Sequence, residues 1–319
     1  MLRCAILDDY QRVALSMADW TRLAGRVDVT VFHEHFGSED ELVDALQPFA
    51  IVVAMRERTA FPAAVLERLP HLRLLVTTGM RNAAIDVEAA RRRGIVVAGT
   101  RGRSEHTVEL TWALILAWAR HIVRENEAFR TGGPWQQTVG VDLHGKRLGI
   151  VGLGRIGSRV ARVGLAFGMD VVAWSPHLTP ERAAEAGVRP VAKDELFATS
   201  DFVTIHLVLG PTTRGLVGAA DLRRMRPTAF LVNTSRGPIV DSAALVRALR
   251  EGWIAGAGLD VYDVEPLPRD HVLRTLPNVL GTPHLGYVTE ATYRQFYGDV
   301  VEDIEAFLEG RPIRLVPAD

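Results

Sequence analysis

Short apolar runs alternate with stretches of helical period along most of the chain. Runs at 5–7, 27–31, 51–54, 74–77 and 95–98 have the length and aliphatic content of buried strands. Stretches such as 40–46 and 62–68 carry apolar residues at helical spacing between them. A second series of strands follows at 148–151, 171–174, 202–207, 230–233, 258–261 and 279–281. This rhythm predicts parallel sheets covered by helices. A longer helical pattern over about 105–130 separates the two series and ends at Gly132-Gly133-Pro134. Another, over 288–308, is closed by Gly310 and Pro312. The 319 residues therefore read as α/β, with two doubly wound parallel-sheet domains. Residues 99–286 make one. Residues 1–98 and 287–319 make the other, so the chain crosses between domains twice.

The second series opens on the most informative motif. Gly152-Leu153-Gly154-Arg155-Ile156-Gly157 follows the apolar run at 148–151. It begins a helical pattern in which Ile156, Val160, Val163 and Phe167 recur, with Gly168 placed to end it. Strand, glycine turn and helix in that order form the context of a dinucleotide-binding site. Gly152 permits the tight turn, Gly154 lets the backbone approach a pyrophosphate, and Gly157 lets helix and strand pack closely. The helix N-terminus attracts phosphate charge.

Composition narrows the partners. Hydrophobic residues make up 48% and charged residues 24%, as in ordinary globular enzymes, and a net charge of −1 leaves no basic field for nucleic acid. The longest strongly apolar run, near 110–119, is too short to span a bilayer and reads as a buried helix. Asp8 and Asp9 interrupt the N-terminus before an apolar signal segment forms. Cys4, the single cysteine, cannot form an internal disulfide; in an apparent strand it reads as a buried thiol in a reducing compartment. A cytoplasmic protein with no membrane or nucleic-acid partner is expected.

Hydride transfer between a nicotinamide and a 2-hydroxy or 2-keto acid needs one group to hold the carboxylate and another to exchange a proton with the reacting oxygen. Arg236 lies in Asn233-Thr234-Ser235-Arg236-Gly237, just past the strand at 230–233. That is a strand's carboxyl end, where open α/β sheets bind ligands, and a guanidinium grips a carboxylate in bidentate fashion. His284 lies in Thr282-Pro283-His284-Leu285-Gly286, after the last strand, and a histidine exchanges protons near neutral pH. Glu265 follows Asp260-Val261-Tyr262-Asp263-Val264 and precedes Pro266. A carboxylate beside the histidine would orient the ring and favour its protonated form, yet spacing alone does not single Glu265 out from other acids. No histidine pair has HExxH spacing, so no metal site is expected.

Together with His206-Leu207, these motifs resemble the D-isomer-specific 2-hydroxyacid dehydrogenase family in order and spacing over nearly the whole chain. That family includes 3-phosphoglycerate, glycerate and hydroxypyruvate–glyoxylate enzymes. The resemblance implies a Rossmann nucleotide-binding domain, a flavodoxin-like substrate domain and a homodimer. It implies an oxidoreductase moving hydride between NAD(P)(H) and a small 2-ketoacid or D-2-hydroxyacid, with His284 as acid/base, Glu265 its partner and Arg236 the carboxylate anchor. It implies that Asp260 holds the nicotinamide amide, that Arg155 and Ile156 meet the pyrophosphate through the backbone, and that Leu207, Thr213 and Thr234 line the cofactor cleft. Thr78-Gly79-Met80-Arg81-Asn82 resembles the start of the loop whose amides hold the substrate carboxylate, which nominates Gly79, Met80 and Arg81. Met55-Arg56-Glu57-Arg58-Thr59 resembles the stretch facing the substrate in phosphoglycerate-type members, which nominates Arg56, or Arg58, for a distal anionic group.

The chain also departs from the pattern. An acid is expected about 20 residues past the glycine loop, to hold the ribose hydroxyls of NAD. Ser175 stands there instead. It can hydrogen-bond a ribose hydroxyl, and no arginine or lysine lies at 175–178 to attract a 2′-phosphate, which favours NAD and leaves NADP open. Val208 replaces the proline usual after His-Leu, and Met80 and Arg81 replace smaller residues of the substrate loop. A specific D-3-phosphoglycerate dehydrogenase is the alternative within the class. Outside it, the alternative is a non-catalytic NAD(H)-sensing protein like the corepressors that resemble this family.

Overall fold

The computed structural model describes residues 1–317; the last two residues of the 287–319 segment lie outside the described residues. In chain order, β1 (Leu2–Ile6), β2 (Val27–Val31), α1 (Glu39–Leu46), β3 (Ile51–Ala54), α2 (Ala63–Glu67), β4 (Leu74–Thr77), α3 (Val87–Arg92) and β5 (Val96–Gly99) come first. Two helices follow, α4 (Glu105–Ala119) and α5 (Ile122–Thr131). Next come β6 (Arg147–Val151), α6 (Arg155–Ala166), β7 (Asp170–Trp174), α7 (Pro180–Glu185), β8 (Arg189–Pro190), α8 (Lys193–Thr199) and β9 (Phe202–Ile205). The series ends with α9 (Ala219–Arg224), β10 (Phe230–Asn233), α10 (Ser242–Arg250), β11 (Gly256–Leu259), β12 (Val279–Gly281) and α11 (Glu290–Leu308).

The chain splits into two units. Met1–Arg103 and the described residues from Val288 onward make the first; Ser104–Tyr287 makes the second. The first holds a parallel sheet ordered β2-β1-β3-β4-β5, the flavodoxin-like order. Its strands are apolar on both faces because helices cover both: Ile51–Ala54 and Leu74–Thr77 are buried throughout. Short polar side chains start the helices by accepting otherwise orphaned amides, Ser38 from Glu41 N at 3.2 Å and Asp86 from Ala89 N at 2.8 Å. Cys4 is buried among these strands, which pushes its thiol up to about 12 and makes it a packing residue.

The second unit holds seven parallel strands ordered β12-β11-β10-β9-β6-β7-β8, the Rossmann arrangement extended by one strand. Side chains alternate between two cores. Leu148, Ile150, Phe202, Phe230 and Val232 face one with Trp112 of α4, while Val151, Val203, Ile205 and Leu231 face the other with Leu222 and Leu245. Trp118 stacks on Phe230 with ring centroids 4.4 Å apart. Burying one such ring contributes about 1.5–3 kcal/mol.

Several elements differ from the sequence reading. The helical pattern over 105–130 is two helices: His121 adopts a left-handed φ of 50°, and Ala119 O accepts the amide of Val141 where the chain returns. No glycine or proline marks that break. The strand expected at 258–261 runs from Gly256 to Leu259; a side chain at 256 would collide with Trp118 and the backbone of Asn278, so its first residue is a glycine with no apolar signal. Strand 202–207 ends at Ile205.

Candidate active site

The glycine loop joins β6 to α6. Gly152 has φ +103°, and a Cβ there would lie 2.7 Å from His206 O. A Cβ on Gly157 would overlap Gly152 O, so helix and strand meet only through hydrogens. A Cβ on Gly154 would meet nothing within 4 Å. Gly154 caps α6 without a side-chain partner, so the first-turn amides of Arg155 and Ile156 face open space. Unpaired amides, a helix dipole and room beside Gly154 form a cradle that fits a pyrophosphate.

Ser175 follows β7, and its Oγ accepts the amide of Leu153 at 2.8 Å. His206, after β9, anchors the strand end by donating its amide to Val151 O, and its Nε2 meets Thr204 Oγ1 at 2.9 Å. Burial pushes this imidazole down to about 3, so it is neutral at physiological pH. The oxygen of Leu207 accepts from Ser235 Oγ. Thr213 is buried and donates to Val208 O at 2.7 Å, and Thr234 meets Thr111 Oγ1 of α4 at 2.8 Å.

The other half of the sheet gathers the charged residues. Arg236 is half-buried beyond β10, its Nη1 donating to Ser235 O at 2.8 Å and its carbonyl held by Asn233 Nδ2 at 3.0 Å. Gly237 follows because a Cβ there would overlap the backbone of Tyr262. Asp260, just past β11, is fully buried and accepts from Thr282 Oγ1 at 2.6 Å, Leu285 N at 2.7 Å and Gly286 N at 2.8 Å. Desolvation raises its pKa, and these three donors with the nearby His284 oppose the rise. Glu265 Oε1 accepts the amide of Tyr262 at 2.9 Å. Its Oε2 lies 2.5 Å from His284 Nδ1. His284 has a left-handed φ of 54°, a strained conformation for this residue, and its ring meets Tyr287 edge-on at 5.2 Å. An imidazole held through Nδ1 keeps Nε2 as the atom for proton exchange.

In the first unit, Gly79 has φ +90° and spends its amide on Thr100 Oγ1 at 2.7 Å. Among the described residues no hydrogen bond uses the amides of Met80 and Arg81, which are exposed. Arg56 adopts φ 52° and donates to Thr78 O at 3.1 Å; Arg58 donates to Asp8 O at 2.6 Å and lies over the Tyr10 ring.

Residues 112–286 match the family described as "D-isomer specific 2-hydroxyacid dehydrogenase, NAD binding domain". The chain belongs to this family. A glyoxylate reductase of Aeropyrum pernix is 43% identical over 256 residues, covering 77% of this chain and 76% of that protein. A D-3-phosphoglycerate dehydrogenase of Methanocaldococcus jannaschii is 38% identical over 86% of this chain, which spans only 52% of that relative. The crystal structure of a phosphoglycerate oxidoreductase from Vibrio cholerae O395 superposes with a TM-score of 0.93 at 39% identity, covering 97% of this chain and 100% of that one. This family member is an NAD-dependent oxidoreductase acting on CH–OH donors.

Most motif residues of the second unit follow the carboxyl ends of strands, where His284 meets Glu265 and Asp260 holds Thr282, Leu285 and Gly286. Sequence reasoning missed Thr282, Tyr287 and Thr111. A hydroxyl two residues before a motif histidine, an aromatic three after it, and the 107/111 spacing of threonines on α4 were the available signals. Among the described residues no helix is long and apolar enough to cross a membrane, and no cluster of three metal-ligating side chains occurs.

Proposed function

We propose that this dehydrogenase reduces small 2-ketoacids to D-2-hydroxyacids with His284 as the proton donor. The observation that carries the reading is the 2.5 Å contact between His284 Nδ1 and Glu265 Oε2. Glu265, itself held by the Tyr262 amide, keeps the Nδ1–H fixed and stabilises the charged ring. His284 Nε2 gives its proton to the carbonyl oxygen in reduction and takes it from the hydroxyl in oxidation. Arg236 pairs with the substrate carboxylate. The nicotinamide, when bound, supplies hydride in reduction and accepts it in oxidation. The amides of Arg155 and Ile156 hold the pyrophosphate, Leu207, Thr213 and Thr234 flank the cofactor, and Asp260 orients the carboxamide.

Glyoxylate and hydroxypyruvate are the proposed substrates. Relatives named glyoxylate reductase align with about three quarters of their length. A phosphorylated substrate is the second reading, favoured by Arg56 and Arg58 just past β3. Initial rates with glyoxylate, hydroxypyruvate and phosphohydroxypyruvate decide: the first reading expects the highest kcat/KM for an unphosphorylated acid, and preference for the phosphorylated one would overturn it.

We place the protein in the cytoplasm as a homodimer. Exposed Ile122, Val123, Phe129, Trp135 and Val139, on and just after α5, supply an apolar face suited to a second copy. Light scattering should give twice the 35.1 kDa chain mass.

A further inference from the structure

Tyr262 touches both halves of the acid/base pair. Its amide donates to Glu265 Oε1 at 2.9 Å. Its hydroxyl lies 3.1 Å from Leu259 O and 3.1 Å from Thr282 O, so one proton is shared between two carbonyls. Those carbonyls mark the place where the strands part. Leu259 ends β11 and pairs with Gly281, the end of β12. Leu259 O also accepts the amide of Thr282 at 2.8 Å, and Thr282 O accepts the amide of His284 at 3.0 Å. The second of these bonds closes the turn around Pro283 that brings His284 to its left-handed φ of 54°. A strained φ persists only where surrounding bonds over-determine it, and the Tyr262 hydroxyl is one of those bonds.

The hydroxyl is kept as a donor. Burial, with the nearby carboxylates of Asp260 and Glu265, pushes its pKa up to about 12. The ring packs against the core that contains Leu245 and Leu259. Gly281 leaves the hydroxyl room, since a Cβ there would lie 2.9 Å from its oxygen. Tyr262→Phe would therefore keep the packing of the ring and remove only the shared proton.

We propose that Tyr262 is a positioning residue for proton transfer: its amide fixes Glu265, its hydroxyl fixes the turn that presents His284, and the two together set the pair in register. The inference rests on the acid/base reading of His284 and adds the residue that aligns it with its carboxylate. Its effect falls on kcat, because the pair acts on the reacting oxygen and not on the dinucleotide.

Steady-state kinetics of the full chain with NADH and glyoxylate test it. Tyr262→Phe should lower kcat about 3- to 10-fold, the loss of one neutral hydrogen bond, while KM for both substrates stays within about twofold. Gly281→Ala, which displaces the hydroxyl with the tyrosine still in place, should give the same split. In a Glu265→Gln background the further change Tyr262→Phe should cost less than it does in the wild type, because the pair it aligns is already broken. The Nδ1–H proton resonance of His284 should move upfield in Tyr262→Phe as its contact with Glu265 lengthens. Wild-type kcat in Tyr262→Phe, an equal loss in both backgrounds, or kcat and KM changing together would overturn the proposal while the acid/base reading stands. Wild-type turnover by His284→Ala would bring down that reading and this proposal with it.

Discussion

Two halves of one parallel sheet end in different chemistry. Where β6 and β7 end, the site consists of backbone amides, a helix terminus and glycines, with Ser175 in place of an acid. Where β10, β11 and β12 end, it consists of side chains, and two of them are carboxylates held by several partners: Asp260 by three donors and Glu265 by Tyr262 and His284. The glycine turn of the first half works through what its glycines lack and is carried by six consecutive residues, while Ser175 joins it from 22 residues away. The second works through partners 19 to 26 residues apart, so it exists only once β11 and β12 are paired.

The largest effect should come from the side-chain half. His284→Ala is expected to lower kcat by about 10²–10⁴-fold while NADH still binds, read by steady-state rates and fluorescence titration. Turnover like the wild type would break the division of labour between the halves. Arg236→Ala should raise KM for the ketoacid by roughly 10- to 100-fold, the loss of a charge-assisted bond; an unchanged KM would remove the anchor from that half.

In the backbone half, Gly157→Ala forces a Cβ against Gly152 O and should cost about 1–3 kcal/mol of stability. Chemical denaturation measures the cost, and NADH affinity should fall with it. A neutral outcome would mean that helix and strand do not need their close approach. The smallest effect concerns His206, at the boundary of the halves. Its folded value, about 3, lies below the ordinary 6.5, so the unfolded chain takes the proton first as pH falls. Its contribution is present above about 6.5 and is lost progressively toward 3. NMR should show no titration of this ring between pH 5 and 8, and His206→Gln should flatten the fall of Tm on acidification.

Much of the fold was legible because buried parallel strands are short aliphatic runs that alternate with stretches of helical period. β8 was not, since Arg189 and Pro190 are exposed and carry no apolar signal. The break at His121 was not, since it depends on a returning segment claiming Ala119 O. In the site, the glycine loop was readable from its own six residues. Glu265 was one acid among 38 Asp and Glu residues until family resemblance singled it out.

By itself the sequence determined the strand–turn–helix at Gly152–Gly157, the βα rhythm and the set of polar residues at strand ends, because each depends on neighbours within a turn or two of chain. Tertiary structure alone decided which of those residues meet. It set Glu265 Oε2 against His284 Nδ1 and turned Ser175 inward to the loop. Such pairings follow from the registers of β11 on β12 and of β6 on β7, and hydrogen-bond and Coulomb energies fall off too steeply with distance for spacing along the chain to specify them.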